Sequence, residues 1–357
     1  MNNVQAMPSP AVEGMDPDHL LEVRNLKMHF PIKKGLLSRV VGYVRAVDDV
    51  TFNIRQGETL GLVGESGCGK STIGRCIVRA YEVTGGQMLF RNQQDSAVDL
   101  AQMQGDELRD YRQDIRMIFQ DPYSSLNPRM TVFENISEVL KNTTKQGKSE
   151  MQDRVAYLLR RVGLRPEYMT RYPHAFSGGE RQRVVIARAL VTNPRLIVAD
   201  EAVSALDVSV RAQILNLLEE LQDEFDLTYL FISHDLSVIR HICDRVVVMY
   251  VGKIAEVAEG LDTYVSPKHP YTEALMSATP ISNPRHRNRG QRIRLQGEVA
   301  DPSNPPSGCY FHPRCQYAED RCSTETPELR PIGDNNRIVA CHYAEELELR
   351  GAVIEGG

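Results

Sequence analysis

Gly64-Glu65-Ser66-Gly67-Cys68-Gly69-Lys70-Ser71, directly behind the apolar run Leu60 to Val63, has the residue types and spacing to hold phosphate. Glycines at 64, 67 and 69 remove the Cβ atoms that would keep backbone amides away from an anion. Lys70 can then reach β- and γ-phosphates, Ser71 offers a hydroxyl to Mg²⁺, and a helix beginning at Lys70 points its positive end at the same place. A second anion chemistry is carried by Ser177-Gly178-Gly179-Glu180. Ser-x-x-Glu is the spacing of a capping box, yet two glycines in a first turn destabilise a helix by up to about 1 kcal/mol each relative to Ala. Bare amides and a serine hydroxyl at a helix N-terminus also form an anion site, so cap and function are both open here. Acids come third: Asp200-Glu201 ends the apolar run Arg195 to Ala199. Near a phosphate loop such an Asp can hold Mg²⁺ and its neighbour can orient an attacking water. His234 stands at the end of another apolar run, Thr228 to Ile232, where it could reach the same phosphate.

These residues need strands that end together. The runs 59–63, 115–119, 195–199 and 228–232 read as buried strands, and helical spacing between them predicts right-handed crossovers, a mainly parallel sheet and a ligand at its carboxyl edge. Helices are predicted over Thr72 to Arg79, across the face Val155, Leu158, Leu159 and Val162, from Ser177 onward, and across Ile214, Leu217, Leu218 and Leu221. Strand-like alternation in Leu20 to Val23 and Val50 to Ile54 predicts a small β layer ahead of the loop, with a long connection, Phe30 to Arg45, between them. Phe30 and Tyr43 in that connection could stack on a base or pack internally. A turn at Gly85-Gly86 precedes a strand over 87–90, and a polar insertion follows. Residues 1–18, with three prolines and little periodicity, read as a disordered tail.

The 357 residues, 41% hydrophobic and 25% charged, fit a soluble globular protein, and the formal charge of −5 argues against a nucleic-acid grip by bulk electrostatics. No run approaches the ~18 apolar residues of a membrane span and no signal peptide is visible, so a cytoplasmic chain is expected. Seven cysteines, four of them between 309 and 341, do not form a secreted disulfide framework.

In order, GESGCGKS (64–71), Gln120 after an apolar strand, FSGGERQR (176–183), LIVADE (196–201) with SALD (204–207), and His234 resemble the ATP-binding subunit of an ABC transporter over about residues 20–345. The resemblance implies an α/β fold, a P-loop NTPase of RecA-like type, with an antiparallel β subdomain, an α-helical subdomain over about 121–190 and a small cysteine-bearing C-terminal extension. It places the ATP-binding domain at 19–262 and the extension at 263–357. Gly64, Glu65, Ser66, Gly67, Cys68, Gly69, Lys70, Ser71 and Thr72 would hold ATP. Ser71, Gln120 and Asp200 would serve Mg²⁺, and Gln120 would couple that site to a membrane partner. Glu201 would polarise the attacking water and His234 would contact the γ-phosphate. Phe30 sits where relatives place the adenine-stacking ring, with Tyr43 as the alternative. The signature residues Ser177, Gly178, Gly179 and Glu180, with Asp207, complete the nucleotide-contacting set from a second cassette, so one chain carries two half-sites. Ala202 departs from the usual proline after the catalytic Glu, which loosens the backbone there and should leave the chemistry intact.

Within the family the nearest similarity is to oligopeptide and dipeptide importers, through FQDPYSSLNPR (119–129), VSPKHPYT (265–272) and the cysteine-bearing end. This implies a second ATP-binding subunit, commonly a non-identical sister, two transmembrane permease subunits and an extracytoplasmic substrate-binding protein, with no nucleic acid, at the cytoplasmic face of the membrane. A soluble ABC ATPase of DNA or ribosomes is the alternative, disfavoured by the lack of an extended heptad run or a second phosphate loop. A regulatory module with a dead ATP site is disfavoured because Lys70, Asp200, Glu201 and His234 are all present. Cys309, Cys315, Cys322 and Cys341 lie in a stretch with little apolar periodicity, where a metal cross-link would replace missing core. Gaps of five, six and eighteen residues are unlike the paired knuckles of structural zinc. Four thiolates suit a [4Fe–4S] cluster, towards which the family resemblance tips the choice over zinc or free thiols.

Overall fold

The computed structural model describes residues 14–35, 38–143, 147–279, 292–333 and 336–352. Its smaller sheet has the order β2-β1-β4-β5, with β1 (His19–Lys34), β2 (Arg39–Arg55), β4 (Gly85–Arg91) and β5 (Ala97–Asp99) all antiparallel. Within the expected connection Phe30 to Arg45, residues 30–34 and 39–45 are therefore strand: Phe30 pairs with Val44 and Pro31 with Tyr43. Register shifts at Leu26/Lys27, Met28/His29 and Ile32/Lys33 break the period of two, and the outer end of the hairpin is exposed on both faces, so no apolar alternation marks it. The polar insertion after Phe90 contains β5 and a helix, α2 (Gly105–Asp114), whose sequence is mostly charged. Residues 1–13 of the expected tail lie outside the described residues. Residues 14–18 are tied down instead, with Arg24 donating to the Gly14 carbonyl at 2.6 Å and Arg91 to that of Asp16 at 2.8 Å.

The larger sheet runs β11-β12-β10-β9-β3-β8-β7-β6, built from β3 (Thr59–Val63), β6 (Ile115–Ile118), β7 (Leu196–Asp200), β8 (Thr228–Ile232), β9 (Arg245–Tyr250), β10 (Lys253–Glu259), β11 (Arg330–Pro331) and β12 (Ile338–Val339). The five strands from β9 to β6 are parallel, and every residue of β3, β7, β8 and β9 is buried, as a sheet covered on both faces requires. Register aligns their carboxyl ends. Leu62 and Asp200 both pair with Ile232, and Ile118 pairs with Ala199, so the segments carrying Gly64, Gln120, Glu201 and His234 leave adjacent strands at one edge.

Helices α1 (Lys70–Ile77), α7 (Val208–Phe225) and α8 (Leu236–Ile242) cover this sheet. A helical layer is formed by α3 (Pro122–Ser125), α4 (Val132–Thr143), α5 (Lys148–Arg161) and α6 (Gly178–Leu190). Val155, Leu158, Leu159 and Val162 are fully buried there against Ile136 and Val184, each large side chain adding roughly 1.5–3 kcal/mol of burial.

The C-terminal segment comprises α9 (Gly260–Val265), α10 (Pro270–Met276), α11 (Asp320–Thr324), β11 and β12. The boundary expected at 262/263 falls inside α9. Its own apolar cluster is small, Ile332, Val339 and Ala344, but β12 pairs with β10 and Phe311 packs on Tyr250, so it borrows the core of the preceding domain. Among the described residues, no helix is long and apolar enough to cross a membrane.

Candidate active site

A cleft of about 490 Å³ opens at the carboxyl edge of the parallel strands. It is lined by Ser66, Gly67, Gly69, Lys70, Ser71 and Thr72 of the phosphate loop, by Gln120, Glu201 and His234, and by Ala46 of β2. Gly69 caps α1 at φ 107° with its Cα hydrogens against the Ala46 carbonyl, a conformation and an approach that only glycine allows. Lys70 is buried and its Nζ donates to the carbonyls of Gly64 and Glu65 at 2.7 and 3.0 Å, which keeps the cation within the loop.

Ser71 Oγ donates to Asp200 Oδ1 at 2.8 Å. Burial pushes the Asp200 carboxyl above its ordinary range, and the adjoining Glu201 adds to the rise, against opposition from the Ser71 hydroxyl, Arg75 and Lys70. A buried acid paired with a hydroxyl beside a phosphate loop is a donor set that fits Mg²⁺. Glu201 has φ 50°, an uncommon value for a residue other than glycine, and its amide is fixed to the Ile232 carbonyl at 2.9 Å. One carboxylate oxygen accepts from Gln120 Nε2 at 2.9 Å; the other lies 2.8 Å from His234 Nδ1. Three residues from three strand ends thus meet on one carboxylate.

Residues 47–204 match the ABC transporter family, and residues 255–322 match the oligopeptide/dipeptide transporter C-terminal region. The oligopeptide transport ATP-binding protein AppF of Bacillus subtilis is 52% identical over 324 residues, covering 90% of this chain and 97% of that protein. The chain belongs to the ATP-binding subunits of ABC transporters, in their oligopeptide and dipeptide branch. The dipeptide transport ATP-binding protein DppF of Escherichia coli is 46% identical over 329 residues, 92% of this chain and 96% of that one. A solved dimer of the ATP-binding cassette MJ0796, bound to ADP and Pi, superimposes with a TM-score of 0.58 at 28% identity over 67% of this chain and 98% of that one. As an ABC-transporter ATP-binding subunit the chain uses MgATP and hydrolyses it.

Other expected residues of this ABC subunit stand apart from the cleft. Ser177 N-caps α6 in a full capping box, its Oγ accepting from the Glu180 amide at 3.3 Å while Glu180 accepts from the Ser177 amide at 2.9 Å. A Cβ on Gly179 would lie 2.6 Å from Val210 Cγ1, a packing reason for that glycine; at Gly178 a Cβ would meet Leu206 at an ordinary 4.0 Å, which gives no such reason. Asp207 is exposed and caps α7 through the Val210 amide. Cys68 is buried, and Glu65 turns away from the cleft to Arg314. Phe30 is half-buried, edge-on to Tyr81 at 5.4 Å, and Tyr43 is exposed; neither lines the cleft. Sequence reasoning missed Ala46, which contributes mainly backbone, and Arg314, which lies 249 residues from its partner.

Cys309, Cys315, Cys322 and Cys341 line one small cavity with His269, Phe311 and Tyr343. Burial, then the charge of the other thiols, pushes Cys315 up to about 12 and Cys341 up to about 11. Among the described residues no three of His, Cys, Asp and Glu are gathered as ligands of a single ion.

A small stability effect and a large functional one should separate at Ser177. Ser177→Ala removes the cap, about 1 kcal/mol by thermal unfolding, but should reduce ATP turnover of the assembled transporter by more than tenfold; equal, small effects on both would make Ser177 a cap alone.

Proposed function

We propose that this chain is the ATP-hydrolysing subunit of a peptide importer, turning over MgATP between two cassettes to drive uptake of di- or oligopeptides through membrane partners. The observation that carries the site assignment is Glu201, held between Gln120 and His234 beside the phosphate loop. Lys70 and the loop amides bind the β- and γ-phosphates, Glu201 orients and deprotonates the attacking water, and His234 fixes Glu201 and contacts the γ-phosphate. Ser71 and Asp200, with Gln120 alongside, would hold Mg²⁺, which would supply charge neutralisation on the phosphates. Ser177, Gly178, Gly179 and Glu180, with Asp207, serve the nucleotide of a second cassette, so ATP bridges the pair and hydrolysis releases it. The second cassette is a non-identical sister; two permeases and an extracytoplasmic binding protein complete the assembly, with this chain peripheral on the cytoplasmic face.

Gln120 reports to the permease through the segment behind it. The exposed rings of Phe119 and Tyr123 lie there, and Arg181 of α6 stacks over Tyr123 at 3.7 Å while Arg188 donates to the Ser125 carbonyl at 2.5 Å. Purifying the intact membrane complex through a tag on this chain should yield hydrophobic subunits and one sister ATPase. Ribosomal proteins or DNA would support the soluble-ATPase reading, and this ATPase alone in two copies would remove the sister.

Phe30 is the adenine platform. Phe30 is half-buried and is the cross-strand partner of Val44, two residues from Ala46, which lines the cleft, whereas Tyr43 is exposed. Stacking on a base is worth about 1–3 kcal/mol, so Phe30→Ala should weaken ATP binding by at least fivefold and Tyr43→Ala should leave it unchanged. The reverse pattern would move the platform to Tyr43.

The four thiols facing one cavity hold a structural [4Fe–4S] cluster, in which electron transfer has no part. Four cysteines lining one cavity are the thiolate count such a cluster takes, and burial raises Cys315 and Cys341, a cost that binding to a cationic centre would relieve. Anaerobically purified protein should be brown with about four iron and four sulfide per chain; colourless protein with stoichiometric zinc, or four freely titratable thiols, would refute it.

A further inference from the structure

Arg314 carries the extension into the phosphate loop. Its Nη1 donates to Glu65 Oε2 at 2.6 Å and its Nη2 to Oε1 at 3.1 Å, with the arginine side chain only 7% exposed. Nη1 also lies 3.4 Å from the Tyr250 hydroxyl. A two-pronged, charge-assisted bond of this kind fixes orientation as well as distance, and lysine could not reproduce it. The main chain of Glu65 is anchored as well, its amide donating to the Tyr271 hydroxyl of α10 at 2.9 Å. On the loop side, the Glu65 carbonyl is one of the two that hold Lys70 Nζ.

The other end of Arg314 is set by two cysteines. It closes the single 3₁₀ turn His312–Arg314, which hangs from the Cys309 carbonyl through the His312 amide at 3.0 Å and runs directly into Cys315. Cys309 and Cys315 face the four-thiol cavity. The extension touches the cleft region twice more: Tyr310 hydroxyl donates to Asp48 Oδ2 at 3.0 Å, and the Pro302 carbonyl accepts from the Arg45 amide, next to Ala46, at 2.9 Å. A continuous set of contacts therefore leads from the thiols through Arg314 and Glu65 to Lys70.

We infer that Arg314 is a positioning residue for the phosphate loop, and that through it the state of the four-cysteine module sets nucleotide affinity. The inference rests on the loop being the nucleotide site and is independent of what the thiols hold. In the full-length chain, titration with a fluorescent MgADP analogue should show Arg314→Gln weakening binding about tenfold with little change in melting temperature. Cys315→Ser should weaken it several-fold in the wild-type background and hardly at all when Arg314→Gln is already present. In the assembled transporter Arg314→Gln should raise KM for ATP far more than it lowers kcat. If Arg314→Gln does not fold, Glu65→Gln removes the same bond from the loop side and should show the same non-additivity with Cys315→Ser. Unchanged affinity in the folded variant, or a Cys315→Ser effect of equal size in both backgrounds, would overturn the inference while leaving the nucleotide site intact; a wild-type chain that binds no nucleotide would overturn both.

Discussion

Glu201→Gln in the assembled transporter will lower ATP hydrolysis by about 10² to 10⁴-fold, the usual contribution of a positioned general base, while ATP affinity stays within a few-fold. The two effects separate because binding and hydrolysis use different groups. On the proposed reading phosphate is held by Lys70 and the loop amides, whereas the Glu201 carboxylate engages Gln120 and His234. The amide is nearly isosteric, and its oxygen can still accept from Gln120, so local structure persists while basicity is lost. ATP then remains bound without turnover, and the variant should accumulate as a closed, ATP-bound pair of cassettes, read by gel filtration with multi-angle scattering. Hydrolysis at the wild-type rate would remove Glu201 from the chemistry.

Gly69→Ala will abolish nucleotide binding, whereas Gly67→Ala will weaken it without abolishing it, although both are glycines of one loop with positive φ. At Gly69 a Cβ would stand 2.1 Å from the Ala46 carbonyl oxygen, in addition to the strain of φ 107°. Backbone cannot yield that far locally, so either the loop or β2 must move, and both line the cleft. Gly67 at φ 81° has no atom within 4 Å of its would-be Cβ, leaving only the backbone strain of about 1–3 kcal/mol. Isothermal titration with MgADP should therefore show no saturable binding for the first variant and a loss of roughly five- to a hundredfold for the second. Equal losses would mean that strain alone, and not the contact with β2, governs the loop.

The site was legible in the sequence because its parts follow the ends of short, fully buried strands, where a run of apolar residues stops abruptly at chemistry. Leu60 to Val63, Leu196 to Ala199 and Thr228 to Ile232 each carry that mark, and parallel pairing in register brings Lys70, Glu201 and His234 to one edge. The helix face at Val155, Leu158, Leu159 and Val162 was equally plain, since all four are buried at one spacing. The β1-β2 hairpin was not, because bulges shift its register three times between Leu26 and Lys33 and the described residues of its outer end are exposed or half-buried. Charged α2 gave no apolar face to read. The extension was read as lacking a core, yet its aromatic residue Phe311 packs on Tyr250 and Tyr271, and β12 joins β10 over two residues, signals too short and too distant in the chain for periodicity to reveal. Gly179 carries two readings at once: the sequence leaves cap and anion site both open, and the structure adds a packing reason, since a Cβ there would lie 2.6 Å from Val210 Cγ1.

Peptide uptake into proteoliposomes, with MgATP supplied only on the side that bears this subunit and a peptide-loaded binding protein on the other, tests the central claim most directly. The account predicts accumulation of labelled di- or oligopeptide that depends on MgATP and stops, together with phosphate release, when this chain carries Glu201→Gln. Uptake continuing at the wild-type rate in that variant, or phosphate release with no peptide movement in the wild type, would contradict it.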